Sequence, residues 1–195
     1  MKNEVTFVSG QRGSGKSYWV KHEIESLSRY MVFDTMNEYE GRKIEDLEEL
    51  ADHCQSAGDG FLEAVYDPSD PQAELPWFCR IAYAVGNVCV IIEEVDVFAD
   101  PYNMPEYLGQ VVKRGRHRGV NLMAVSQRPA AVNRLLTSQA SRFVIFRHFE
   151  PRDIAYFRSI IGPYAEKLPT LGLYEFYVID FSQGPLLAMP TPQRL

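Results

Sequence analysis

Eight consecutive residues near the start of the chain, Gly10-Gln11-Arg12-Gly13-Ser14-Gly15-Lys16-Ser17, fit the pattern G-x-x-x-x-G-K-[ST] without departure. Residues of these types at this spacing can cradle phosphate. Glycine lets the backbone turn tightly enough for successive N–H groups to point at phosphate oxygens, and a helix starting at the lysine adds the positive end of its dipole. Lys16 would bridge the β and γ phosphates, and Ser17 would hold Mg²⁺ through its hydroxyl. With Tyr18, the next residue, these positions form the expected binding segment for ATP and Mg²⁺.

Hydrolysis also needs carboxylates, one to help hold the metal and one to take a proton from water. The run Val88-Cys89-Val90-Ile91-Ile92-Glu93-Glu94 supplies both at the end of a strongly β-forming segment. Glu93 lies where a metal-linked acid is expected and Glu94 where a general base would stand. Adjacent residues leaving a strand point in different directions, so each can take its own role. Asp96 and Asp100 are weaker alternatives.

These residues need a scaffold that brings distant strand ends together. Short apolar runs alternate with helix-like stretches, the pattern of a mostly parallel sheet flanked by helices. Strands are predicted at residues 5–9, 31–34, 61–66, 88–92, 120–126 and 142–147, and helices at 16–28, 44–54, 74–85, 106–118 and 151–161. Two strand-like runs around Ser182, Gln183 and Gly184 predict a C-terminal β-hairpin. At 195 residues, with 46% hydrophobic and 24% charged, one α/β domain over 1–195 is expected. Trp19 and Trp77 read as packing residues, and the four histidines show no ligand spacing; His117 alone sits where it could meet phosphate.

No apolar run approaches the roughly 20 residues that span a bilayer, and the first ten residues are too polar for a secretory signal; no direct membrane insertion is expected. Three cysteines at no metal-like spacing fit reduced thiols. The net charge of −6 would by itself argue against a polyanionic partner. Along residues 111–152, however, nine basic residues (Lys113, Arg114, Arg116, Arg118, Arg128, Arg134, Arg142, Arg147 and Arg152) face one acid, Glu150, so this stretch carries +8 and the remainder −14. Either the basic residues pair with the acidic surface, or one side of the fold, or of a ring built from it, meets phosphate.

Four segments together resemble the HerA and FtsK superfamily of DNA-pumping P-loop ATPases, including the genome-packaging ATPases of tailless icosahedral viruses. They are GQRGSGKS, VFDTMNEY (32–39), VIIEEVDVF (90–98) and GRHRGVNLMAVSQRP (115–129). The resemblance implies a RecA-like P-loop NTPase of the additional-strand, catalytic-glutamate type. It also implies that Gln127 senses the γ-phosphate or orients water, and that Arg116 is inserted into the site of an adjacent subunit. Glu93 departs from the aspartate commonest at its position in P-loop ATPases, leaving the division of labour with Glu94 open.

The expected function is ATP hydrolysis coupled to translocation of double-stranded DNA by a homo-oligomeric ring, a pentamer or hexamer. The setting would be the host-cell cytoplasm or a virion, with a capsid portal vertex as a further partner. Lys113, Arg114, Arg118, Arg128 and Arg134 are candidate DNA contacts, and Arg128, Arg134 and Arg142 are further candidates for the arginine given to a neighbour. The cationic run at 113–118 has a plainer reading as a helix C-terminus satisfying its own dipole. Rivals are an assembly or secretion ATPase of the filamentous-phage type, a nucleotide or small-molecule kinase, and a nucleotide-binding module without turnover.

Overall fold

Not one residue of the run Cys89–Ile92 is exposed, as expected of a parallel strand covered on both faces. The structure, a computed structural model, describes residues 4–184 and 191–195. In chain order the elements are β1 (Val5–Ser9), α1 (Lys16–Ile24), β2 (Arg29–Phe33), β3 (Lys43–Ile44), α2 (Leu47–Ala57), β4 (Leu62–Tyr66), α3 (Pro71–Val85), β5 (Cys89–Ile92), α4 (Val95–Phe98), α5 (Glu106–Arg114), β6 (Asn121–Ser126), α6 (Arg134–Gln139), β7 (Arg142–Phe146), α7 (Pro151–Ile161), β8 (Glu175–Asp180) and β9 (Gln193–Arg194). Tight 3₁₀ turns cover Gly115–Arg118, Pro129–Ala131, Gly162–Thr170 and Phe181–Gln183.

Nine strands form one sheet in the order β3-β4-β2-β5-β6-β1-β7-β8-β9. Pairings from β3 to β7 are parallel, and β8 and β9 add antiparallel. The additional strand expected from the sequence is β6, which lies between β1 and β5. Because side chains alternate along a strand, the core divides into two layers. Phe7, Phe33, Ile92, Ala124 and Ile145 face one way under α2, α3, α5, α6 and α7. Val8, Val32, Ile91, Val125 and Val144 face the other, under Trp19, Val20 and Ile24 of α1.

Several boundaries differ from the sequence reading for local reasons. The first helix stops at Ile24, short of residue 28, where the Ser26 hydroxyl takes the Glu23 carbonyl at 2.9 Å and competes with the helical ladder. Ile44 is strand, because Asp46 caps the next helix by accepting the Glu48 and Glu49 N–H groups at 2.8 and 2.9 Å. The helix from Glu106 ends at Arg114, and the chain tightens into a 3₁₀ turn closed by Val120 N–H on the Gly115 carbonyl at 2.9 Å. In the C-terminal hairpin the returning strand is β9, pairing Phe176 with Gln193; residues 185–189, expected to return, lie outside the described residues. Trp77 is 49% exposed and packs at the surface: its ring and that of Tyr107 lie 6.4 Å apart, and the Arg80 guanidinium stands beside both at 5.2 and 5.6 Å.

Candidate functional site

The register fixes where the chemistry converges. Ser9 lies opposite Ser126 and Ile92 opposite Ala124, so the phosphate-loop segment, the Glu93-Glu94 pair and Gln127 leave the sheet side by side at its carboxyl edge. Ligands of open α/β sheets bind at this edge. A cleft of about 360 Å³ opens there, lined by Arg12, Gly13, Lys16 and Ser17 on one side and by Met36, Glu38, Glu93, Glu94, Val125, Ser126 and Gln127 on the other.

The loop hangs from two neighbouring strands. Gly10 N–H donates to the Ser126 carbonyl at 3.3 Å and Gln11 N–H to the Arg147 carbonyl at 3.1 Å. A Cβ at Gly10 would lie 2.5 Å from both Phe146 Cβ and Ser14 Oγ, so no larger residue fits this first position. Lys16 opens α1 and folds back, its Nζ donating to the Gln11 carbonyl at 3.1 Å. Burial pulls the Lys16 ammonium below its usual range, against the opposing pull of Glu93, Glu38, Asp96 and Glu94. Tyr18 is 63% exposed and does not line the cleft.

The two acids are held differently. Glu93 is buried, and its Oε1 accepts the Tyr39 hydroxyl at 2.5 Å. Burial raises its carboxyl to about 7, with Glu38 and Asp34 adding to the rise while Tyr39 and Lys16 oppose it. Glu94 sits at φ 50°, in the left-handed region, and starts the one-turn helix α4. That break in the strand swings Glu94 toward the end of β6, where its Oε1 accepts Gln127 Nε2 at 3.0 Å. Asp100 does not line the cleft, and its Oδ1 accepts the Tyr102 and Asn103 N–H groups in a turn. Asp96 stays near Lys16, with Oδ1 buried and unpartnered among the described atoms.

Ser17 and Glu93 offer hard oxygen donors to the same cleft, a set that suits Mg²⁺, which keeps water and phosphate oxygens for the rest of its shell. Among the described residues no cluster of three or more His, Cys, Asp or Glu forms a metal cage, and such a phosphate-bound ion requires none.

The cationic stretch does not form one face. Lys113 and Arg114 are exposed at the end of α5, and Arg116 and His117 on the following turn, all at the amino end of β6, opposite the cleft. Arg118 is engaged, donating to the Tyr83 and Ala84 carbonyls at 3.2 and 2.6 Å and so capping α3. Arg142 pairs with Glu23 at 3.1 Å and covers the Trp19 ring at 5.2 Å. Arg128 is exposed at the cleft end of β6, and Arg134 lies over the Tyr156 ring at 5.7 Å.

Other supporting residues emerge only from the fold. Asp34 accepts the Glu38 and Tyr39 N–H groups, each at 2.9 Å, and pairs with Lys43 at 2.6 Å, fixing the loop that presents Tyr39 to Glu93. Beneath the phosphate loop, Ser9 Oγ meets His148 Nε2 at 3.1 Å, and His148 Nδ1 lies 3.6 Å from Asp153 Oδ2. Asp153 also accepts Ala130 N–H at 3.3 Å, tying the base of the loop to the turn after Gln127. The VFDTMNEY segment signals Asp34 and Tyr39; nothing local signals the histidine network.

No known family model matches the chain. In sequence it is 22% identical over 146 residues to Protein P9 of Pseudoalteromonas phage PM2, covering 72% of this chain and 67% of that protein. It is 36% identical over 72 residues to the DNA double-strand break repair helicase HerA of Pyrococcus furiosus, covering 35% of this chain and 13% of the helicase. The chain therefore spans only a small part of that longer relative. In structure it resembles the genome packaging NTPase B204 of Sulfolobus turreted icosahedral virus 2 in complex with AMPPCP, with TM-score 0.79, 19% identity, and 99% of this chain and 97% of that one covered. The chain thus has the P-loop NTPase fold, and its likeness to HerA helicases in sequence and to a viral packaging NTPase in fold matches the resemblance carried by its motifs.

Proposed function

We propose that this chain is a single-domain P-loop ATPase that translocates double-stranded DNA, packaging a viral genome as a homo-oligomeric ring of five or six subunits in the host cytoplasm or at the packaging vertex of a capsid. The observation that carries the reading is the Gln127–Glu94 hydrogen bond across the mouth of a cleft that also holds Lys16, Ser17 and Glu93. A kinase needs the phosphate loop but not a carboxylate held beside a strand-end glutamine; a hydrolase needs both, to orient water and accept its proton.

In this mechanism the loop amides and Lys16 hold the β and γ phosphates, and Ser17 and Glu93 would hold Mg²⁺, which when bound neutralises charge on those oxygens. Glu94 accepts the proton of the attacking water, and Gln127 keeps Glu94 aimed. Arg116 precedes β6 and Gln127 follows it, so six strand residues, on the order of 17–20 Å, separate that arginine from its own cleft. This distance favours service to a neighbour's site. An arginine supplied in trans contributes roughly 10³- to 10⁵-fold in rate and makes firing depend on assembly. The DNA contacts of such a motor would fall on phosphate and be blind to sequence.

The test is ATP hydrolysis with and without double-stranded DNA for wild type, Glu94→Gln and Arg116→Ala, alone and mixed. Wild type should be stimulated by DNA, each variant should be inactive alone, and mixed rings should recover part of the activity. No recovery in demonstrably mixed rings removes the trans arginine; turnover indifferent to DNA in assembled rings removes the motor.

A further inference from the structure

Tyr174 is a non-glycine residue at φ 62°, far from the catalytic carboxylates in sequence yet set directly against the phosphate loop. Its N–H donates to the Ser14 carbonyl at 3.3 Å, and its own carbonyl accepts Leu195 N–H at 3.2 Å. Its ring lies over Gly15: a Cβ added there would stand 2.6 Å from Tyr174 Cδ1. A left-handed tyrosine costs on the order of 1 kcal/mol or more, and strain of this kind persists where the surroundings require it. What it achieves here is the placement of an aromatic ring against Gly15, the residue before Lys16.

Tyr18 supplies a second ring, with centroids 6.1 Å apart and planes at 59°. Both rings are open, Tyr18 at 63% and Tyr174 at 41% exposure, although neighbouring Trp19 and Phe176 are buried in the core. Neither tyrosine lines the cleft that holds Glu93, Glu94 and Gln127. A triphosphate with its γ end in that cleft must leave the loop elsewhere, and the base at its other end presents a flat π face. Glu175, next to Tyr174, already accepts Gly172 N–H at 2.7 Å, so the group presented at this position is the ring.

We propose that Tyr174, flanked by Tyr18, is the stacking surface for the base of the bound nucleotide. The assignment rests on the nucleotide-binding reading above and adds to it the residues that grip the nucleoside. Stacking of this kind recognises the face of a base, which every nucleobase has. Tyr174 therefore sets affinity for a nucleotide over bare polyphosphate while Lys16 and the loop amides hold the phosphates of both.

The experiment is calorimetric titration of the full chain with Mg²⁺ and two probes, ATP and inorganic tripolyphosphate. Tyr174→Phe keeps the ring, and Tyr174→Asn removes it while tolerating the left-handed backbone. Expected results are wild-type ATP affinity for Tyr174→Phe and a roughly 5- to 100-fold loss for Tyr174→Asn, with tripolyphosphate affinity unchanged in both. Equal loss of both probes in Tyr174→Asn overturns the proposal, because the ring would then merely brace the loop. Unchanged ATP affinity overturns it as well. Wild type binding neither probe would instead bring down the nucleotide reading itself, an outcome distinct from wild type binding both with the asparagine variant unaffected.

Discussion

Gln127 Nε2 donates to Glu94 Oε1 at 3.0 Å, joining two residues 33 apart in sequence that follow β6 and β5, strands adjacent in the sheet. This bond holds in place a glutamate whose backbone has already left the strand at φ 50°. Gln127→Ala should therefore lower kcat for ATP by roughly 10- to 100-fold with little change in KM, whereas Glu94→Gln should lower it by 10² or more while leaving nucleotide binding intact. Steady-state hydrolysis paired with equilibrium binding checks both. A Gln127→Ala enzyme that lost KM rather than kcat would show that the glutamine binds substrate instead of aiming the base.

Burial, with help from Glu38 and Asp34, sets the Glu93 carboxyl at about 7 where it would ordinarily titrate at 4.5. A carboxyl whose folded pKa is raised favours folding in its protonated form; its contribution is present below about 4.5 and is lost as pH climbs through 7. Glu93→Gln, neutral throughout, should gain stability over wild type between pH 5 and pH 8, on the order of 2–3 kcal/mol. Urea unfolding without nucleotide or divalent metal measures the gap, and a gap independent of pH would refute the assignment.

Burial also raises the thiols, Cys54 to about 11 despite the opposing Arg29, Cys89 to about 12, and Cys79 further. At pH 8 the native chain should be inert to a disulfide reagent such as dithionitrobenzoate, and all three thiols should react once urea unfolds it. Because these folded values lie above the unfolded ones, the thiol contribution to stability is full below about pH 9 and declines above it. Rapid labelling of the native chain at pH 8 would contradict the burial.

The Ser9–His148–Asp153 network lies wholly inside the fold, beneath the phosphate loop. His148→Ala would leave Ser9 Oγ and one Asp153 oxygen without their partner, at a cost of about 2–4 kcal/mol. Denaturant unfolding should show that loss, with partial recovery in His148→Gln. A change below 0.5 kcal/mol would mean that the three side chains do not act together.

Arg118 and Arg128 are both exposed arginines of the cationic stretch, but only Arg118 spends its donors on helix carbonyls. Arg118→Ala should destabilise the fold by roughly 1 kcal/mol with no effect on the salt dependence of DNA binding. Arg128→Ala should do the reverse, reducing the log–log salt slope by about 1. Fluorescence anisotropy with duplex DNA across a salt series separates the two; equal slopes for both variants would remove Arg128 from the DNA-facing set.

What the sequence by itself determined was local. The glycine spacing and Lys16-Ser17, set between a β-forming run and a helix-forming one, specify a phosphate loop, and VCVII followed by two glutamates specifies a buried strand with acids at its exit, because hydrophobic period and backbone propensity act over a few residues. The starts at Lys16, Glu106 and Pro151 were legible from pattern and proline alone, whereas the caps Asp46 and Asp70 set starts that the apolar pattern misplaces, moving Ile44 into a strand and beginning α3 at Pro71. Tertiary structure decided everything that depends on which strands become neighbours. Register brings Gln127 to Glu94 and a bend in the chain brings Tyr39 to Glu93. The antiparallel addition of β8 carries Tyr174 onto Gly15. Charge was the least legible of all: nine cations counted along one stretch left pairing with acids and a phosphate-facing side both open, because hydrogen bonding and ion pairing act through space, and they assign Arg118 to a helix cap and Arg142 to Glu23 while Arg128 is exposed at the cleft end of β6.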